Sequence, residues 1–155
     1  MSKYKNEKVV VDGIEFDSKH ESEYYELLKR LKAEGKIRDF ELQKKFELQP
    51  GFKKYGKSHR AITYTVDFVI HHLDGHMECV DVKGMETQQG IMRRKMFDYL
   101  YPNLQLTWVQ KSIKHGNENG WIEYDKLKKI RAAAKKEKKL KEGKKNKPST
   151  KKGGE

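Results

Sequence analysis

A chain of 155 residues is long enough for one domain with a buried core, and its single cysteine, Cys79, excludes an internal disulfide. There is no export-type apolar segment and no run of about eighteen apolar residues, which argues against a membrane partner and for a cytoplasmic protein. The formal charge is +12, but residues 126–155 hold 14 Lys/Arg against 3 Asp/Glu, whereas the preceding 125 hold 21 against 20. Composition therefore divides the chain into a near-neutral domain, 1–125, and a basic tail, 126–155. Such a tail attracts phosphate backbone by counterion release, with salt-sensitive affinity and little sequence preference; it also suits a purely solubilising segment.

The first residues, MSKYKNEK, are polar and read as loose, and VVVDGIEF follows as a hairpin turning at Asp12-Gly13. Ser18 with Glu21 three residues on fits a capping box. Tyr24, Tyr25, Leu27, Leu28 and Leu31 recur at helical spacing, and Gly35 suits a helix end, so a helix is predicted over about 18–34. IRDFEL and KFEL read as extended segments, and PGFKKYGKSHR as a loop before the strand ITYTVDFVI. In that loop Phe52 and Tyr55 are interleaved with Lys53, Lys54, Lys57 and Arg60, as in a base-stacking nucleic-acid contact or a solvated hairpin tip. After the strand MECVDVK, a helix is predicted over about 87–100, with Met92, Met96 and Tyr99 on one face and Pro102 beyond its end. LQLTWVQ is a final strand. Tyr124, Leu127 and Ile130 lie on one side of a last helix, which should dock by its first turns and then project as a charged rod. GKKNKPSTKKGGE reads as disordered. The order is hairpin, helix, three strands, helix, strand, helix: a mixed α/β domain with a central sheet.

The strands YTVDFVI and MECVDVK carry charge where a sheet is usually apolar. Strand alternation puts Thr65, Asp67 and Val69 on one face, Tyr64, Val66, Phe68 and Ile70 on the other, and Cys79, Asp81 and Lys83 together. A two-residue turn at Asp74-Gly75 would place Asp67 against Val82 and keep the aspartates apart. A three-residue loop, Leu73-Asp74-Gly75, would place Asp67 opposite Asp81 with Lys83 as diagonal neighbour. Opposed carboxylates repel unless a cation lies between them, and Mg²⁺ favours one or two such hard ligands plus water and phosphate. The plainer alternative makes one Asp a turn or edge residue and Lys83 its salt-bridge partner. Glu21 borders the apolar stripe of the first helix and is the candidate third ligand, unless it serves only the capping box; Glu23 and Glu26 are poorly placed.

Other residues attract attention with less support. His71, His72 and His76 cluster at the hairpin tip, but alternation separates neighbours, so they read as solvated loop residues. His20 reads as an exposed first-turn residue, Trp108 and Trp121 as packing residues, and nothing near Cys79 suggests an activated thiolate.

An acidic residue on an early helix, an aspartate on one strand and D-V-K on the next resemble the motif of the PD-(D/E)xK nuclease superfamily: Glu21, Val66-Asp67 and Asp81-Val82-Lys83. Val66 stands where the motif's name has Pro, which is not a metal ligand. FDSKHESEYYELL, LQKKFEL, YTVDF and VDVKG further resemble a family of small phage and prophage proteins, nearest within the superfamily to compact phage-type resolvases. The resemblance covers about residues 4–110. It implies a restriction-endonuclease-like core, with helix, three mainly antiparallel strands, helix and strand, flanked by the N-terminal hairpin and the basic C-terminal helix.

The resemblance also implies an activity, Mg²⁺-dependent hydrolysis of DNA phosphodiester bonds, with Mn²⁺ able to substitute, in phage recombination or Holliday-junction resolution. Asp67, Asp81, Glu21 and the carbonyl of Val82 would hold the metal, while Lys83 orients or helps deprotonate the attacking water. A basic residue on the following helix, Lys95 or else Arg93 or Arg94, would reach the phosphate, and Gln43 in LQKKFEL resembles a polar position near the site. Symmetric cutting of branched DNA would need a homodimer. The competing class is a non-catalytic DNA-binding accessory protein acting through its basic tail.

Overall fold

The computed structural model describes residues 7–145. Two short strands, β1 (Val9–Val11) and β2 (Ile14–Phe16), form the expected hairpin, turning at Asp12-Gly13. Helix α1 (Lys19–Ala33) starts where Ser18 accepts the Glu21 N–H at 3.2 Å. It ends where Gly35 takes a left-handed φ of 70° and Lys36 N–H bonds back to Leu31 at 2.9 Å.

The remaining strands are β3 (Asp39–Gln49), β4 (Phe52–Lys54), β5 (Lys57–His59), β6 (Ile62–His71), β7 (Met77–Val82), β8 (Gln105–Lys111) and β9 (Trp121–Glu123). Helix α2 (Gln88–Leu100) lies between β7 and β8, and α3 (Tyr124–Lys145) follows β9. The central sheet has the order β3-β6-β7-β8-β9, antiparallel except for the β7–β8 pair. Parallel neighbours need a crossover, and α2 is that connection. The fold is mixed α/β with a mainly antiparallel sheet and three helices.

Apolar side chains fill two clusters. Tyr24, Tyr25 and Leu28 of α1 pack with Phe68, Ile70, Val80, Val109 and Trp121, while Phe97 of α2 and Tyr124 of α3 pack with Tyr64, Val66, Val69, Cys79, Leu106 and Trp108. Both tryptophans are packing residues, as their sequence context suggests. Helix α3 docks through Tyr124 and Leu127, and from Lys128 to Gly143 every residue is exposed. No helix among the described residues is long and apolar enough to cross a membrane.

The structure corrects several expectations. From Asp39 of IRDFEL through KFEL the chain forms one continuous strand, β3. The basic stretch expected as a loop contains a two-stranded ribbon, β4–β5, because two consecutive left-handed residues, Tyr55 and Gly56, close a tight hairpin turn. β9 pairs with β8 although its three residues are too few to show a pattern. α3 runs to Lys145, past Gly143, where disorder was expected to begin; 146–155 of that segment and 1–6 of the N-terminal stretch lie outside the described residues.

Candidate active site

The β6–β7 hairpin takes the three-residue loop. His72 N–H donates to the His76 carbonyl at 3.0 Å, Gly75 adopts φ 93°, and the ladder runs Phe68↔Val80, Val69↔Cys79, Ile70↔Glu78 and His71↔Met77. That register brings Asp67 level with Asp81. The ladder stops one step short of them, and the carboxylates take over the backbone donors. Asp81 Oδ1 accepts the N–H of Asp67 at 2.9 Å, and Asp67 Oδ2 accepts the N–H of Val82 at 2.9 Å.

A kink in the neighbouring strand accompanies this gap. Gln43, which the β3–β6 register sets opposite Asp67, has a left-handed φ of 51° and drops out of the pairing between Leu42↔Phe68 and Lys44↔Val66. Phe40, Leu42, Phe68 and Ile70 pack with α1, whereas Phe46, Leu48, Tyr64 and Val66 pack in the cluster of α2. All eight positions are even-numbered, so unbroken alternation would put each strand's four on one face. Both strands exchange faces at Gln43 and Asp67, which corrects the expectation that Tyr64, Val66, Phe68 and Ile70 share a side. Gln43 Nε2 reaches Asp67 Oδ1 at 3.5 Å, a long contact.

Asp81 is 2% exposed and well supplied with donors. Besides the Asp67 N–H, it accepts from the Tyr64 hydroxyl, whose oxygen accepts the Trp108 Nε1–H at 2.9 Å, and Lys83 Nζ lies 3.2 Å from its Oδ2. Tyr64 is the residue of this carboxylate cluster that the sequence did not point to. Its signal was hidden because regular alternation set it on the face away from Asp67. Trp108 sits beside Asp81 in the parallel β7–β8 register, with Lys83 Nζ 5.0 Å from its ring centre and the Arg94 guanidinium 4.5 Å away.

Asp67 is half-buried, and its carboxyl is pushed up to about 7, first by burial and then by the charges of Asp81 and Glu21. The Val82 N–H and Lys83 offset only part of this. Glu21 is raised too, by burial first, then by Asp17 and more weakly by Asp81. Its carboxylate accepts the Ser18 hydroxyl at 3.3 Å, so the capping role and the place beside the aspartates coexist.

Among the described residues no group of three or more His, Cys, Asp or Glu side chains is arranged so as to hold a metal ion. The donor set is two carboxylates with a third at the edge. Three acidic groups facing one lysine leave negative charge uncompensated, and hard oxygen donors of this number suit a partly hydrated Mg²⁺.

The other candidates are spread out. Arg94 is the helix base beside the site, stacked near Trp108 and gripped by Asp125 at 2.7 and 3.2 Å. Lys95 is exposed and Arg93 half-buried. Lys53, Lys57 and Arg60 are exposed on and beside the β4–β5 ribbon. Glu23 pairs with Lys111 at 2.5 Å and Glu26 with Lys29 at 3.7 Å, both away from the aspartates, as expected. His72 and His76 do not separate onto different faces: they pair across the loop and stack at 4.1 Å, because only three residues intervene. Their partners are Glu78 and Asp74, and His71 meets Glu41, so each is hydrogen-bonded to a carboxylate at the hairpin tip. Burial pushes the Cys79 thiol up to about 11, which rules against an activated thiolate.

Neither the curated proteins nor the solved structures provide a significant match to this chain. Residues 1–117, which contain every element from β1 to β8 and all the residues of the carboxylate site, match the family described as "Protein of unknown function (DUF1064)", and the chain belongs to that family.

Proposed function

We propose that this chain is a Mg²⁺-dependent DNA endonuclease with a PD-(D/E)xK-type active site. The observation that carries the reading is the reciprocal lock of Asp67 and Asp81 across parted strands, with Lys83 held 3.2 Å from Asp81. The order α1, β3, β6, β7, α2, β8 supports a restriction-endonuclease-like core, since it sets an acidic helix, an aspartate strand and a D-x-K strand around one sheet opening.

In this reading Asp67 and Asp81, with Glu21 and the Val82 carbonyl, would hold the cation. The bound metal supplies charge neutralisation and an acidified water. Tyr64 and Trp108 fix the rotamer of Asp81, so the donor geometry exists before substrate arrives. Lys83 donates to the attacking water or to the phosphate oxygen on which negative charge builds, and as a compact ammonium it does so from any direction. Arg94, Arg93 and Lys95 on α2 and the exposed bases near β4–β5 contact the DNA backbone. Branched DNA from phage recombination, including Holliday junctions, is the substrate class in view, cut in symmetric pairs by a homodimer.

The test is cleavage of labelled four-way junction, linear duplex and single-stranded DNA in Mg²⁺, Mn²⁺ and EDTA, beside Asp81→Asn. Paired junction cuts lost with EDTA and with the variant are expected. DNA left whole in every metal would discard the enzyme.

A second reading is favoured by α3, whose residues 128–143 are exposed and strongly basic: an accessory DNA-binding protein acting through the tail. Removing residues 136–155 would then abolish function while Asp81→Asn leaves it intact.

A further inference from the structure

The β4–β5 ribbon is built against its own stability. Tyr55 occupies the first position of its two-residue turn at φ 49°, followed by Gly56 at φ 74°. Such turns favour Asn, Asp or Gly at that first position, and a bulky aromatic there is strained. Packing does not compensate, since Tyr55 is 97% exposed; the Lys54 ammonium lies 5.5 Å from its ring centre.

The lysines repeat the pattern. Lys54 and Lys57 are directly opposed in the ladder, so two like charges share one face, together with the Phe52↔His59 pair stacked at 4.6 Å. Opposed like charges weaken a ribbon unless an anion lies between them. Among the described residues neither lysine, nor Lys53 or Arg60, pairs with a carboxylate. From Leu48 to Val66 the chain has no Asp or Glu at all.

We propose that the β4–β5 ribbon is a docking arm for DNA carrying an unstacked base: Tyr55 receives the base, and Lys54 with Lys57 receives a flanking phosphate. One ligand thereby relieves the exposed ring and the opposed charges together, with stacking indifferent to which base is offered. The inference rests on DNA being the substrate proposed above and deepens it, because fully paired duplex offers Tyr55 no free base face. The arm leaves β3 at Gln49, six residues past Gln43. At a rise of ~3.3 Å per residue it starts about 20 Å from the carboxylates, roughly half a turn of duplex. The cut phosphate then lies several pairs from the distortion that is recognised.

The experiment uses the full chain carrying Asp81→Asn, so that binding is read without cutting. Fluorescence anisotropy compares a duplex bearing a three-nucleotide bulge with a fully paired duplex of equal length, and circular dichroism checks each added variant. The parent should prefer the bulged probe by about tenfold, the order expected of one stacked base. Tyr55→Ala should abolish that preference with little change on paired duplex, and Tyr55→Phe should keep it. Lys54→Gln with Lys57→Gln should weaken both probes and flatten the slope of log affinity against log salt by about two. Equal affinity of the parent for the two probes, binding to neither, or a preference surviving Tyr55→Ala overturns the inference. Failure of the nuclease reading shows separately, as intact DNA with the Asp81-containing protein.

Discussion

Asp67 and Asp81 are cross-locked: Asp81 Oδ1 accepts Asp67's own N–H at 2.9 Å, while Asp67 Oδ2 accepts the N–H of Val82, the residue after Asp81, at 2.9 Å. Two like charges can sit level because each borrows a backbone donor that the parted ladder no longer uses. Burial first, and then the repulsion that survives, raises Asp67 to about 7. That residue of unfavourable charge makes the site testable with and without substrate.

Stability should fall as pH rises across this site. A carboxyl at about 7 in the fold and 3.8 unfolded binds more protons folded, so its contribution is full below pH 4 and lost as pH climbs through 7. The difference amounts to about 4 kcal/mol as an upper bound. Urea unfolding at pH 5 and pH 8 should show the decline, Asp67→Asn should flatten it, and millimolar Mg²⁺ should restore stability at pH 8. Equal slopes in the two proteins would sink the assignment.

Truncation and neutralisation of Asp81 should differ. Asp81→Ala strands the Tyr64 hydroxyl and the Asp67 N–H in a buried place and should cost about 2–4 kcal/mol. Asp81→Asn keeps the shape and removes the repulsion but sets its NH₂ against one of the donors that Asp81 accepts, so it should cost less than Asp81→Ala, about 1–2 kcal/mol. Cleavage should be lost in both, and chemical denaturation beside the nuclease assay separates the two effects.

Lys83→Ala should leave DNA binding nearly unchanged and lower the cutting rate by about 10²–10⁴. Lys83→Arg should not restore the rate, because a planar guanidinium does not reproduce a point charge seated between Asp81 and the Trp108 ring. Single-turnover rates at saturating protein isolate this from affinity.

Tyr64→Phe removes a donor from Asp81 and the acceptor of Trp108 Nε1–H. It should destabilise by about 1–2 kcal/mol. Without that hydroxyl the Asp81 carboxylate is no longer held in one rotamer, so the single-turnover cutting rate should fall about tenfold with DNA affinity unchanged. A purely structural role would lower stability without lowering the rate of the folded protein.

Gln43 separates strain from contact. Glycine tolerates its φ of 51°, so Gln43→Gly should be as stable as the parent or more so by up to about 1 kcal/mol. Gln43→Val, branched at Cβ, should lose more than about 1 kcal/mol by thermal unfolding.

From the sequence alone, the helix from Ser18 to Gly35, the strand bearing Asp67, the D-V-K strand and the docking of α3 through Tyr124 and Leu127 were all legible, because caps and periodicity are local. The hairpin register was narrowed to two choices, and both followed from counting residues around Gly75. Choosing between them required the backbone itself, since a left-handed Gly75 and the His72–His76 bond settle the loop length. Tertiary structure alone decided that Tyr64 meets Asp81 and that Arg94, ahead of Lys95, lies by Trp108. The exchange of faces at Gln43 and Asp67 breaks the period-two rule on which any strand reading depends, and only strands pairing across the sheet reveal it. The ribbon at Tyr55 was legible only as a solvated hairpin tip in a loop, without its strands, because its turn residues are poor hairpin formers, held in a conformation that their own preferences do not announce.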